Sequence, residues 1–182
     1  MLNTPNILSL IRLCLVPVFV ITYFSGIGNA KLWAAIIYAL ATFTDYLDGH
    51  LARKYKLITN LGKVLDPLGD KMLTFAVLAC LSLDGIIPGW IVMIYFTKEI
   101  LMGMGGLLIH RRARVEIPPS NMLGKVATVL FFLICVVLML VDVGHTVSML
   151  LISVAVLVSL AAFVSYLVRY LAIMKNRRKS KE

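Results

Sequence analysis

Six apolar runs joined by short polar links fill nearly the whole of this 182-residue sequence, at about 5–24, 32–52, 61–83, 88–110, 122–141 and 147–173. Crossing a hydrocarbon core of about 30 Å takes about 20 helical residues, so each run is long enough to span. The residues are 60% hydrophobic and 15% charged. Soluble chains average roughly 45–50% apolar and about a quarter charged, so the surplus apolar surface calls for lipid. The expected fold is all-α: a polytopic membrane protein of six transmembrane helices, forming one domain over 1–174 and a disordered basic tail over 175–182. No stretch remains for a second module.

The first run resembles a cleavable leader in its Arg12 and apolar stretch. However, Asn3, Asn6, Ser9 and Arg12 recur at every third residue and form a polar stripe on one helix face, for which a leader has no use. The run is therefore read as a span. Pro88 suits the start of the fourth helix.

A balance of 18 Lys+Arg against 9 Asp+Glu gives a net charge of +9. In a soluble chain such a charge suggests nucleic acid. Here the cations sit between the apolar runs, where they act as topology signals and anionic-lipid contacts instead. Arg53, Lys54, Lys56 and Lys63 follow the second run, Arg111, Arg112 and Arg114 the fourth, and the tail is basic, whereas the other links hold only Lys31. Cytoplasmic loops carry the excess of Lys and Arg, which places both termini and both basic links in the cytoplasm, in the cell's inner membrane. Cys14, Cys80 and Cys135 lie inside apolar runs without metal-ligand spacing and read as small core residues.

Four of the nine acidic residues, Asp45, Asp48, Asp66 and Asp70, fall at the basic ends of the second and third runs. Carboxylates at that depth are costly and mark function by default. Spacings of three and four residues put each pair on one helix face, and an antiparallel hairpin of the two helices brings the pairs together. Four converging carboxylates repel one another, and bound hard divalent cations such as Mg2+ or Mn2+ relieve that repulsion. Gly49, Ala52 and Gly62 leave room beside them, and Arg53 offers a fork to an anion. Metal, carboxylates, Arg and space at a membrane surface imply phosphoryl chemistry on a lipid-linked diphosphate.

The string Asp45-x2-Asp48-Gly49-x2-Ala52-Arg53-x8-Gly62-x3-Asp66-x3-Asp70 resembles the complete signature of the CDP-alcohol phosphotransferases. Pro5-Asn6-x2-Ser9-x2-Arg12 and Gly124-Lys125 resemble the bacterial phosphatidylglycerophosphate synthases of that family. The resemblance implies a six-helix homodimer with a two-metal site, moving a phosphatidyl group from CDP-diacylglycerol to an alcohol and releasing CMP. It assigns Asp45, Asp48, Asp66 and Asp70 to metal, and Asp70 also to general base. It further assigns Gly49, Ala52, Arg53 and Gly62 to the CDP moiety, and Asn6 and Arg12 to a polar pocket.

Glycerol 3-phosphate as acceptor needs cations near the metals, and Lys125, Arg111 and Arg114 are the expected supply. Gly105-Gly106 and Ala127 stand where the compared synthases usually carry an Arg and a second Lys. A less basic pocket leaves cardiolipin synthesis, with phosphatidylglycerol as acceptor, as the alternative. A divalent-cation transporter is the competing class, but the helices beyond the motif read Ala34-Ala35-Ile36-Ile37 and Phe75-Ala76-Val77-Leu78, which continue no polar path.

Lys98 and Glu99 are adjacent in mid-run and are expected to make separate inter-helix contacts, not a mutual pair. Gly103, Gly105 and Gly106 suggest close helix packing, with a dimer interface as one place for it. The Phe and Tyr residues are expected mostly at lipid or at the interface, with Trp33 and Trp90 as anchors at the outer ends.

Overall fold

The computed structural model describes the backbone of residues 4–55, 62–113 and 122–179, and the side chains of residues 10–44, 69, 71–105 and 122–169. Among these residues it is all-helical: α1 (Thr4–Tyr23), α2 (Ala30–Tyr55), α3 (Gly62–Leu83), α4 (Gly89–Ala113), α5 (Met122–Leu140) and α6 (His145–Lys179). The six helices fall on the six apolar runs. All six differ from the runs by one or more residues at one or both ends. The largest extensions are at basic ends, where α2 and α4 run three residues further and α6 six. Arg and Lys are good helix formers, and cations in a last turn oppose the negative end of the helix dipole. The same physics overturns the expected disorder of the tail, which stays helical through Lys179.

The chain divides into two compact units, residues 1–86 with 136–142, and residues 87–135 with 143–182. In the first, among the described residues, α1 packs extensively against both α2 and α3, whose contact with each other is slighter. Phe19 of α1 is fully buried, and so are Ala34 of α2 and Val77, Leu78 and Leu81 of α3. Emptying a position such as that of Phe19 costs about 3–5 kcal/mol. The Phe19 ring lies 6.0 Å from that of Tyr23 and 6.4 Å from that of Tyr38.

A polar pin closes one end of this unit. Asp84, just beyond α3, accepts through Oδ2 from the Tyr23 hydroxyl at 3.2 Å and from Lys31 Nζ at 2.5 Å. The last turn of α1, the first turn of α2 and the end of α3 are thereby tied at one level. The end of α3 is fixed further by Gly85 at φ 74°. Ile86 N–H donates to the Leu81 carbonyl and Gly85 N–H to that of Ser82, the pairing that satisfies the last carbonyls of a helix.

In the second unit α4 packs on α6, with Ile91, Ile152 and Ala155 buried, and Tyr95 stacks on Phe131 at 4.4 Å. Ile91 N–H donates to the Pro88 carbonyl, so Pro88 does open α4.

Much of the exterior is apolar: Ile21, Leu83, Met93, Leu157 and Val168 are all mostly exposed. Soluble monomers seldom show such continuous apolar surface. Among the described residues α5 and the 145–169 stretch of α6 are long and apolar enough to cross a membrane, while Leu10–Tyr23, Ala30–Thr44 and Lys71–Leu83 are shorter apolar stretches. Trp33 and Trp90 are exposed at helix starts, as anchors are.

Phe19, Tyr23, Tyr38 and Phe131 are buried, whereas the other Phe and Tyr side chains among the described residues are half-buried or exposed. Two further expectations are corrected. Cys80 and Cys135 are buried but Cys14 is exposed. A methyl added at Gly103 or Gly105 would meet nothing within 4 Å, so within the chain neither glycine serves a close helix approach.

Candidate active site

The polar pin gives the three helices of the first unit a common origin, from which depth is measured at 1.5 Å per residue. Asp45 lies fourteen residues from Lys31 along α2, and Asp70 fourteen residues from Asp84 along α3. Both therefore sit about 21 Å from the pin. By the same measure Asp48 and Asp66 lie about 26 and 27 Å away. The backbone brings the four signature aspartates to two matched levels, one residue from each helix at each level. Gly49, Ala52 and Arg53 follow on α2 and Gly62 precedes on α3. Side chains of these residues, and of Asn6 and Arg111, lie outside the described set, as does Arg114 entirely. Among the described residues no group of three or more His, Cys, Asp or Glu is placed to hold a metal.

The donor chemistry fits a divalent metal: carboxylate oxygen is the ligand that hard cations take, and two levels with two aspartates each offer more negative charge than a membrane helix pair holds unaided. Next to the pin lies an apolar layer in which Phe19, Ala34, Ala35, Val77, Leu78 and Leu81 are buried, and the buried polar Arg12 and Thr74 lie beyond it, nearer the aspartates. An ion path across the unit would have to cross this layer, which speaks against transport.

Arg12 on α1 is 3% exposed. Lys125 is exposed at the start of α5, while Ala127 beside it is buried and supplies no cation. The structure also pairs Lys98 with Glu99, contrary to expectation. Lys98 Nζ meets Glu99 Oε1, donates to Ser159 Oγ of α6 at 2.6 Å, and lies 4.6 Å from the Tyr95 ring centre. Adjacent residues diverge on a helix, but both side chains are long and more than nine-tenths buried, and an uncompensated charge at that depth costs more than a bent rotamer. Sequence reasoning also missed the pin. Its signal was there: Lys31 is the sole cation of the first link, and Asp84 lies in the third link, which has no cation of its own.

The sequence matches the CDP-alcohol phosphatidyltransferase family over residues 2–174. The chain belongs to that family. It is thus a CDP-alcohol phosphatidyltransferase, a transferase of a generally divalent-metal-dependent kind, and a membrane protein of phospholipid biosynthesis. A Bacillus subtilis protein named CDP-diacylglycerol–glycerol-3-phosphate 3-phosphatidyltransferase is 36% identical over 140 residues, 70% of this chain and 72% of the relative. A Rickettsia bellii protein of the same name is 30% identical over 169 residues, 92% of each. A Streptomyces coelicolor protein named cardiolipin synthase (CMP-forming) is 38% identical over 131 residues, 70% of this chain and 60% of the relative. A Mycobacterium tuberculosis protein named probable phosphatidylglycerophosphate synthase is matched over 60% of its length as well.

Proposed function

We propose that this phosphatidyltransferase moves the phosphatidyl group of CDP-diacylglycerol to glycerol 3-phosphate, making phosphatidylglycerophosphate and releasing CMP. The observation that carries the reading is the matched placement of Asp45 with Asp70 and of Asp48 with Asp66 on two helices of one unit. The whole family signature stands on those helices, and the relatives named above bear that activity in their names. Six spans, both termini in the cytoplasm of the inner membrane, one catalytic domain over 1–174, a basic tail over 175–182 and a homodimer complete the proposal.

Asp45, Asp48, Asp66 and Asp70 would hold two Mg2+ or Mn2+ ions, which would offset the charge of the diphosphate and of the displacement at its phosphorus. Gly49, Ala52 and Gly62 let the nucleotide approach the backbone, and Arg53 grips its phosphate. Asp70 takes the proton from the acceptor hydroxyl as its oxygen bonds to the phosphatidyl phosphorus, and the bond to CMP breaks. Lys125, with Arg111 and Arg114, binds the acceptor phosphate, and Asn6 lines the polar pocket with Arg12.

A second reading, cardiolipin synthesis with phosphatidylglycerol as acceptor, is favoured by the sparse cations at Gly105, Gly106 and Ala127 and by the name of the Streptomyces relative. Purified protein in detergent with Mg2+ or Mn2+ is expected to release CMP from CDP-diacylglycerol only when glycerol 3-phosphate is added. Release with phosphatidylglycerol alone selects the second reading, and release with neither defeats both.

A further inference from the structure

Arg12 stands eleven residues from Tyr23 along α1, hence about 16 Å from the pin. Helix side chains lean toward the N-terminus, which in α1 is the direction of the aspartates. The remaining step of about 5 Å to the level of Asp45 and Asp70 is within reach of an arginine. α1 is the helix that packs against both α2 and α3, the two that carry the aspartates. A guanidinium does not lose its proton in a protein, and buried to 3% exposure it must be balanced by an anion nearby. Of the other acidic residues of this unit, Asp84 is held at the pin and Asp142 is exposed beyond α5. The four signature aspartates are the anions on the side toward which Arg12 leans.

We propose that Arg12 is a positioning residue of the metal site. Its fixed charge offsets the mutual repulsion of the carboxylates while the site is empty and holds the first level, Asp45 and Asp70, ready to receive metal. The inference rests on the metal-site reading above and goes beyond the general polar-pocket role. It makes a specific thermodynamic statement: Arg12 matters more to the metal-free protein than to the loaded one, because metal takes over the neutralisation.

The test measures thermal unfolding of the full-length protein in detergent, with EDTA and with saturating Mn2+, for wild type, Arg12→Gln and Arg12→Lys. The Mn2+-induced rise in Tm is expected to be larger in Arg12→Gln than in wild type by about 2–4 °C, with Arg12→Lys restoring most of the wild-type difference. Equal loss of Tm in both conditions would mean a packing role and overturn the proposal. Unchanged Tm in both, with a raised KM for CDP-diacylglycerol, would make Arg12 a substrate ligand and also overturn it. If Arg12→Gln is recovered folded only when purified in Mn2+, the proposal stands; recovery in neither condition counts against it. Asp66→Asn tests the underlying reading separately, since retention of the full Mn2+ stabilisation there rejects the metal site itself, whatever Arg12 does.

Discussion

Replacing Lys98 with Met tests the buried pair of the second unit most sharply. Lys98 and Glu99 have side-chain exposures of 7% and 6%, so removing the ammonium leaves a carboxylate with almost no water. Loss of the bond to Ser159 adds about 0.5–1 kcal/mol, small because the hydroxyl can turn to a carbonyl of its own helix. The expected loss is about 3–5 kcal/mol, the range for breaking one partner of a buried pair. For a chain of this size that lowers Tm by about 6–20 °C. Lys98→Met with Glu99→Gln removes both charges and should lose less than half as much. Thermal unfolding in detergent reads both variants. A double variant as unstable as the single one would show that the pair's charges are not what holds α4 to α6.

Two further outcomes concern catalysis. Asp70→Asn is expected to slow the chemical step by about two or more orders of magnitude while CDP-diacylglycerol binding, measured by equilibrium titration, largely persists; wild-type turnover would remove Asp70 from the base role. Lys125→Ala is expected to raise the KM for glycerol 3-phosphate far more than that for CDP-diacylglycerol, and equal rises would take Lys125 out of the acceptor pocket.

The positions of the six helices were legible because apolar run length is a direct record of what lipid must cover. Their basic ends were less so: hydropathy stops at Ala52, His110 and Ile173, whereas hydrogen bonding continues through Arg, Lys and Ala that favour helix in water as well. The carboxylate pairs were legible as faces, since spacings of three and four fix azimuth. Their matched levels were not, because level depends on the ends of the helices and therefore on the Tyr23–Asp84–Lys31 pin, three residues far apart in sequence. The packing of α1 against both aspartate helices was equally invisible, as a hydropathy profile carries no neighbour information. The Lys98–Glu99 pair ran against the rule for adjacent helix residues, which describes exposed side chains better than charges without water.

The pin turns chain length into a functional variable. Equal counts of fourteen residues separate it from Asp45 and from Asp70, so a single-residue insertion or deletion in either stretch would shift one aspartate by about 1.5 Å and swing it by about 100° around its helix. Exchange of one apolar side chain for another leaves both quantities alone. In this half of the molecule the tally of residues between fastening and motif decides where the motif's carboxylates stand as much as the motif's own letters do.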